Sequence, residues 1–130
     1  MVKKKLQGWW RIPVELSLNL LGGKWKVVIL ARLKEKPLRY AELRQRIPGL
    51  SDKVLTERLA DLQRQGWIER GRDGTGTGQF RYRLTAKGQT LRPVLQQLYE
   101  WGAEQAVKMN VTIRPKESKE HTVGPARRYL

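Results

Sequence analysis

At Gly66 the spacing of the apolar residues changes, and no other feature limits the fold of this chain so sharply. Ahead of it Leu55, Leu59 and Leu62 recur at helical intervals, and beyond it Phe80, Tyr82 and Leu84 alternate with Arg81 and Arg83. A stripe of period 3.6 needs a helix, and a period of two needs a strand with one wet face. The chain must therefore be helical first and then form a hairpin, residues 67–72 with 79–84. Its connection, Asp73-Gly74-Thr75-Gly76-Thr77-Gly78, is rich in glycine.

Proline and glycine place the remaining elements. Pro13 suits a first helical turn, where its missing N–H costs nothing, and Glu15 complements the dipole there. Val14, Leu18 and Leu21 follow on one face until Gly22-Gly23 stops the helix. A second helix is expected over 24–34, with Trp25, Val28, Ile29 and Leu33 sharing a face and Lys24, Lys26, Arg32 and Lys34 on other sides. After Pro37 comes a short extended piece, Leu38-Arg39-Tyr40, and then a third helix over 41–47 with Leu43 and Ile47 one turn apart. Pro48-Gly49 is a turn dipeptide, and Ser51 is a good N-cap for a fourth helix ending near Gln65. Thr85 is expected to cap a last helix running to about Val107, with Pro93 marking a kink near its start and Gly88 a second irregularity. Its Leu91, Leu95, Leu98 and Trp101 make a stripe longer than one small core requires.

Composition narrows the class. The chain has 130 residues, 39% of them hydrophobic, enough for one core and not two. A net charge of +15 opposes compaction and points to nucleic acid first and an anionic membrane surface second. Residues 1–11 carry four cations and no acid, residues 107–130 six cations and two acids, and residues 12–106 seventeen cations and ten acids, so the folded part is basic by itself. There is no cysteine, and His121 is the single histidine, which removes thiol chemistry, metal clusters of these ligands and any nucleophile–histidine–acid set. The longest apolar run, Val27 to Ala31, is far short of the ~20 residues of a membrane span. The expectation is a soluble cytoplasmic, nucleoid-associated protein with no membrane partner, no cofactor, no metal and no catalytic residues.

The candidate functional face lies on the fourth helix. With the leucine stripe buried, Lys53, Thr56, Glu57, Ala60 and Arg64 fall opposite it, and a helix of this width fits the major groove of B-DNA. The same residues could equally be the solvated side of any amphipathic helix. Their neighbourhood favours the DNA reading, because a basic hairpin follows. Arg70, Arg72, Arg81 and Arg83 stand on that hairpin against Glu69 and Asp73, and arginine suits phosphates and narrow minor grooves. Glu57 either accepts from a cytosine amino group or pairs with Lys53 or Arg64. Of five tryptophans, Trp25 and Trp67 are expected in the core. Trp9, Trp10 and Trp101 sit in terminal segments where a dimer contact, or a fold-back of the N-terminal segment, would cover them.

Several pieces in order resemble the HxlR-type family of winged helix-turn-helix transcriptional regulators. They are Pro13-Val14-Glu15, Leu21-Gly22-Gly23-Lys24-Trp25, Pro37-Leu38-Arg39-Tyr40-Ala41-Glu42-Leu43 and Ile47-Pro48-Gly49-Leu50-Ser51. Leu55-Thr56-Glu57-Arg58-Leu59-Ala60-Asp61-Leu62, Tyr82-Arg83-Leu84-Thr85-Ala86-Lys87-Gly88 and Glu100-Trp101-Gly102 complete the set. The resemblance covers roughly residues 13–102. It implies a mainly α (α+β) winged helix-turn-helix domain with a two-stranded wing and extra N- and C-terminal dimerisation helices. It further implies a homodimer on an inverted or near-palindromic double-stranded operator, with helix 51–65 in the major groove and the 70–83 hairpin on backbone or minor groove. Several members of the family carry a cysteine just before the Pro-Val-Glu segment and sense oxidants with it. Ile12 stands there in this chain.

The expected organisation is a basic arm over 1–11, the winged domain with its dimerisation helices over 12–107, and a basic tail over 108–130. The DNA-contacting set is Ser51, Asp52, Lys53, Thr56, Glu57, Arg58 and Arg64 on the helix and Arg70, Arg72, Arg81 and Arg83 on the wing, with Lys24 and Arg39 on the backbone. The dimerisation set is Trp9, Trp10, Leu95, Leu98 and Trp101. A small-molecule effector is neither named nor excluded by the sequence; a pocket at the dimer interface lined by Trp9, Trp10 and Trp101 is where one would sit. The rival to a sequence-specific regulator is a non-specific architectural DNA- or RNA-binding protein.

Overall fold

The computed structural model describes residues 12–72 and 78–113, so the expectations for Trp9, Trp10, most of the wing loop, His121 and most of both basic tails lie outside the described residues. Helix α1, Pro13–Leu21, starts with proline and Glu15 in its first turn and ends at Gly22, whose left-handed backbone (φ 68°) lets its N–H reach Leu18 O at 3.1 Å. The expected burial of its apolar face is not what forms. Val14 and Leu18 are exposed, and of that stripe only Leu21 packs against the core among the described residues.

Helix α2, Lys24–Glu35, is the centre of the core. Ile29, Leu30 and Leu33 are buried, with Trp25 and Val28 half-buried against them. Lys34 departs from expectation, for it is only 7% exposed instead of lying on a polar side. Leu38 follows in an isolated antiparallel bridge with Tyr82, their N–H groups and carbonyls exchanging bonds of 3.1 and 2.8 Å. Helix α3, Tyr40–Arg46, begins one residue earlier than expected because the Glu42 carboxylate accepts the Arg39 N–H at 2.8 Å and caps the turn there. Helix α4, Asp52–Arg64, is capped by Ser51, whose Oγ accepts from the Val54 N–H at 3.1 Å. Leu55, Leu59 and Leu62 are its buried stripe, as the spacing requires.

Strands β1, Ile68–Arg72, and β2, Phe80–Leu84, pair antiparallel with Ile68 opposite Leu84, Arg70 opposite Tyr82 and Arg72 opposite Phe80. Among the described residues the chain is therefore mainly α with one hairpin, the layout of the winged helix-turn-helix that the resemblance implies. The final helix is two helices, α5 (Ala86–Gln89) and α6 (Arg92–Lys108), and not one with a kink. Pro93 is the cause, since it lacks the N–H that would bond the carbonyl four residues back and its ring crowds that carbonyl. Thr85 caps α5, accepting from the Gly88 N–H at 3.0 Å while its hydroxyl donates to Gly66 O at 2.6 Å. Trp67, Ile68 and Leu84 close the core beneath the wing, and Leu95 of α6 enters it from the other side. Among the described residues no helix is long and apolar enough to cross a membrane.

Gly88 proves to be a packing requirement. It is buried, and a Cβ built there would sit 2.1 Å from the Trp67 carbonyl oxygen, a backbone atom with nowhere to go. Gly88→Ala should therefore destabilise the fold by about 1–3 kcal/mol despite alanine's better helix propensity. Chemical denaturation of the two proteins checks this; equal or greater stability in the variant would show that α5 can shift away from Trp67 freely.

Candidate nucleic-acid interface

The leucine stripe fixes which flank of α4 is free. Lys53, Thr56, Glu57, Ala60 and Arg64 are all exposed, Lys53 with 80% of its side chain accessible, and Arg58 lies at the edge of that face. Within the face the charges are already arranged. Lys53 Nζ lies 3.4 Å from Glu57 Oε2, and Arg58 Nη1 lies 3.9 Å from Glu57 Oε1. Of the two partners the sequence offered Glu57, Lys53 is the one it takes; Arg64 pairs with Asp61 one turn back. That Arg64 contact, helped by the nearby positive charge of Lys26, holds the Asp61 carboxyl below its ordinary range.

The first turn of α4 is locked by residues with no sequence signal of their own. Tyr40 Oη donates to Asp52 Oδ1 at 2.7 Å and lies 3.4 Å from Thr56 Oγ1. The Thr56 hydroxyl draws the Tyr40 phenol toward ionisation, but burial and the Asp52 carboxylate outweigh it, and its pKa ends up raised. Arg44 adds a second clasp, with Nε 2.7 Å from Asp52 Oδ1 and Nη1 donating to Leu50 O at 2.9 Å. Ser51 and Asp52, expected among the DNA contacts, are thus also the joint that sets the angle between α3 and α4. At the other end, Lys87 Nζ donates to Gln65 O at 2.8 Å, and Lys26 Nζ to Gln65 Oε1 at 3.3 Å, so cations complement the negative end of the helix.

The four wing arginines divide between the two faces of the hairpin. Arg70 and Arg72 share a face with Phe80, and both guanidinium groups stack on its ring, 4.3 and 4.8 Å from the centroid. Phe80 is 40% exposed, an apolar ring kept at the surface as a platform for two cations. Arg72 Nη1 also donates to Gly78 O at 2.8 Å. Arg81 and Arg83 lie on the opposite face. Arg83 reaches Glu69 at 3.5 Å, and Arg81 reaches Glu42 of α3 at 3.4 Å.

Glu42 is the hub that ties the wing to the helix-turn-helix. It accepts from the Arg39 N–H, pairs with the Arg39 guanidinium at 3.5 Å and with Arg81 at 3.4 Å, while Arg39 also bonds Gln79 at the base of the wing. A cleft of about 530 Å³ bordered by Arg39, Tyr40, Arg70, Gln79 and Phe80 runs between α3 and the hairpin. Because Tyr40 borders this cleft and touches Asp52 and Thr56, the wing and the start of α4 form one continuous surface. Lys24, the other expected backbone contact, is exposed at the start of α2 with its Nζ 4.3 Å from the centroid of the neighbouring Trp25 ring.

The expected dimerisation residues separate. Trp101 and Leu98 are exposed, 63% and 46%, and with Pro93, Val94 and Gln97 they border an apolar hollow of about 570 Å³ on α6. Leu95 is a correction: at 2% exposure it lies in the chain's own core, so its side chain is already covered and offers a partner no surface, whereas Leu98 one turn on is left outside.

The backbone N–H of Arg39, then the charges of Arg39, Arg81 and Lys36, hold the Glu42 carboxyl below its ordinary value of 4.5. A carboxyl with a depressed folded pKa adds stability above its unfolded value and loses it as the pH falls through the folded one. Glu42→Gln should accordingly be less stable than the wild type near neutral pH, and the gap should close as the pH is taken well below 4.5. A gap independent of pH in denaturation curves would mean that shape, and not charge, is what Glu42 contributes.

The pattern that defines the HxlR-like helix-turn-helix family matches residues 20–110. An HTH-type transcriptional regulator of Methanothermobacter thermautotrophicus is 39% identical over 89 residues, 68% of this chain and 68% of that one. YdzF of Bacillus subtilis, an HTH-type transcriptional regulator, is 37% identical over 94 residues, 72% of this chain and 86% of its own. Among solved structures, the redox regulator HypR in its oxidized form superposes with a TM-score of 0.64 at 32% identity, covering 72% of this chain and 96% of HypR. The reduced form of the transcriptional regulator YodB from B. subtilis gives 0.60 at 32% identity, covering 73% and 94%.

Proposed function

For a chain that belongs to the HxlR-like helix-turn-helix family of transcriptional regulators, we propose a sequence-specific homodimer that binds a two-fold or near two-fold operator in duplex DNA. The observation that carries this reading is the continuous surface made by the exposed flank of α4, Tyr40 and the Arg70–Phe80–Arg72 stack. Lys53, Thr56, Glu57, Arg58 and Arg64 face the major groove, with Ser51 and Asp52 at the helix start beside a phosphate. As Lys53 turns from Glu57 to a base edge, it leaves that carboxylate free to accept from a cytosine N4 amino group.

Arg70 and Arg72 are the principal wing contacts, held extended by Phe80. Arg81 and Arg83 serve mainly to set the wing's attitude through Glu42 and Glu69 and add charge to the same phosphates. Lys24 and Arg39 reach the flanking backbone. Dimerisation uses the uncovered apolar residues of α1 and α6, chiefly Val14, Leu18, Leu98 and Trp101, with Trp9 and Trp10 from the N-terminal arm. A single reading head on each subunit then meets successive major grooves about 34 Å apart. The arm 1–11 and tail 108–130 add counterion-releasing charge around a domain of 12–107, as suits a cytoplasmic, nucleoid-associated protein.

Selection of bound sites from a random duplex pool should return a two-fold symmetric motif, preferred over random duplex by about 10³ or more near physiological salt. Failure to discriminate would favour a non-specific architectural binder. On the selected site, Lys53→Ala or Thr56→Ala should change base preference by about 1–3 kcal/mol at one position per half-site. Arg70→Ala or Arg72→Ala should weaken all sequences alike and lower the salt-dependence slope by about one for each subunit. A reversal of these roles would sink the assignment. Trp101→Glu should shift the protein from dimer to monomer in sedimentation while its helix content stays unchanged.

A further inference from the structure

Lys34 has no place in the DNA-binding scheme, and its surroundings do not account for it. Lys34 stands at the end of α2 with more than nine-tenths of the residue buried, and its ammonium donates to Gln96 Oε1 of α6 at 3.0 Å. Among the described residues no carboxylate lies within ion-pairing distance of it. The nearest compensation is relayed, with Gln96 Nε2 donating to Glu100 Oε2 at 2.8 Å. A buried cation served by one neutral amide is costly unless something else meets its remaining donors.

Its neighbours are positive as well. Lys34, Glu35, Arg92, Pro93 and Gln96 line a cleft of about 470 Å³ between the end of α2 and the start of α6. Helix α6 begins there with Arg92 in its first turn, no acidic residue and no side-chain cap, so the positive end of a 17-residue helix is reinforced and not neutralised. Among the described residues Arg92 makes one side-chain bond, to the neutral Gln89, and Glu35 on the exposed rim is the single acid of the lining. The volume is in the range of small-molecule sites.

We propose that this cleft binds a small oxyanion, a carboxylate or phosphate, held by Lys34 from below and Arg92 at the mouth. Lys34 supplies a compact ammonium with two free donors, and Arg92 a fork that meets two oxygens at once. Glu35 opposes any ligand that spreads across the whole cleft, which favours a compact anion on the Lys34–Arg92 side. The site joins α2, which packs on α4, to α6, which carries the exposed Trp101 flank, and it involves none of the side chains assigned to DNA.

The test uses the full chain without DNA, so it stands apart from the operator reading. Thermal unfolding is followed while inorganic phosphate or benzoate replaces chloride at constant ionic strength. At least one of the two should raise the Tm saturably; phosphate alone or benzoate alone identifies the preferred headgroup. Lys34→Met should weaken half-saturation by about tenfold or more, as loss of a charge-assisted bond does. Arg92→Gln, on the exposed rim and no risk to folding, should weaken it as well, while Arg70→Ala should leave it unchanged. No saturable shift with either anion would overturn the proposal, and so would a response that survives Lys34→Met and Arg92→Gln but disappears in Arg70→Ala.

Discussion

The packing of one leucine stripe against one helix governs the rest of this molecule. Leu55, Leu59 and Leu62 bury themselves under α2 beside Ile29, Leu30 and Leu33, and that contact fixes the rotation of α4 about its own axis. A half-turn about that axis would bring Lys53 or Glu57 into the core, at the cost of a buried charge. The outward flank is therefore specified by what lies behind it. Tyr40 and Arg44 then set the remaining freedom, the tilt of the helix start, by gripping Asp52 from α3.

Acidic residues in this strongly basic chain work largely as fasteners. Glu42 joins α3 to the wing, Asp52 joins α3 to α4, Asp61 retains Arg64 and Glu69 retains Arg83. Most of these pairs are partly exposed, where a single ion pair contributes little stability. Their value lies in orientation, for they keep long side chains from wandering and leave Arg70, Arg72 and Lys53 as the cations best placed to meet an outside anion. Phe80 does the same for two of these by an aromatic route.

Much of the fold could be read from local pattern. The period change at Gly66, the Ser51 cap and the leucine stripe are statements about neighbours in sequence, and the elements they imply are present. What escaped the pattern depended on distant partners. Lys34 looks like any lysine of an amphipathic helix until α6 is laid across it, and Leu95 shares a stripe with Leu98 although only the first of the two is buried. Tyr40 reads as a strand residue until the turn at Pro48-Gly49 folds Asp52 back onto it. Gly88 looks like a helix flaw because nothing local reveals the Trp67 carbonyl 2.1 Å from its missing side chain. Composition indicated the basic parts of the surface more readily than the internal clasps, since charge is visible in a sequence and pairing is not.

The break between α5 and α6 has a mechanical consequence. The short helix is bolted to the base of the hairpin through Thr85, Gly88 and the Lys87–Trp67 stack, whereas the long one carries the exposed Trp101. Two residues, Thr90 and Leu91, form the elbow between them, with Leu91 packed against the core and Leu95 inside it. In any paired assembly built on the long arm, the separation of the two heads is set at that elbow, so a change of a few degrees there would be magnified along the arm into a different pitch between the heads.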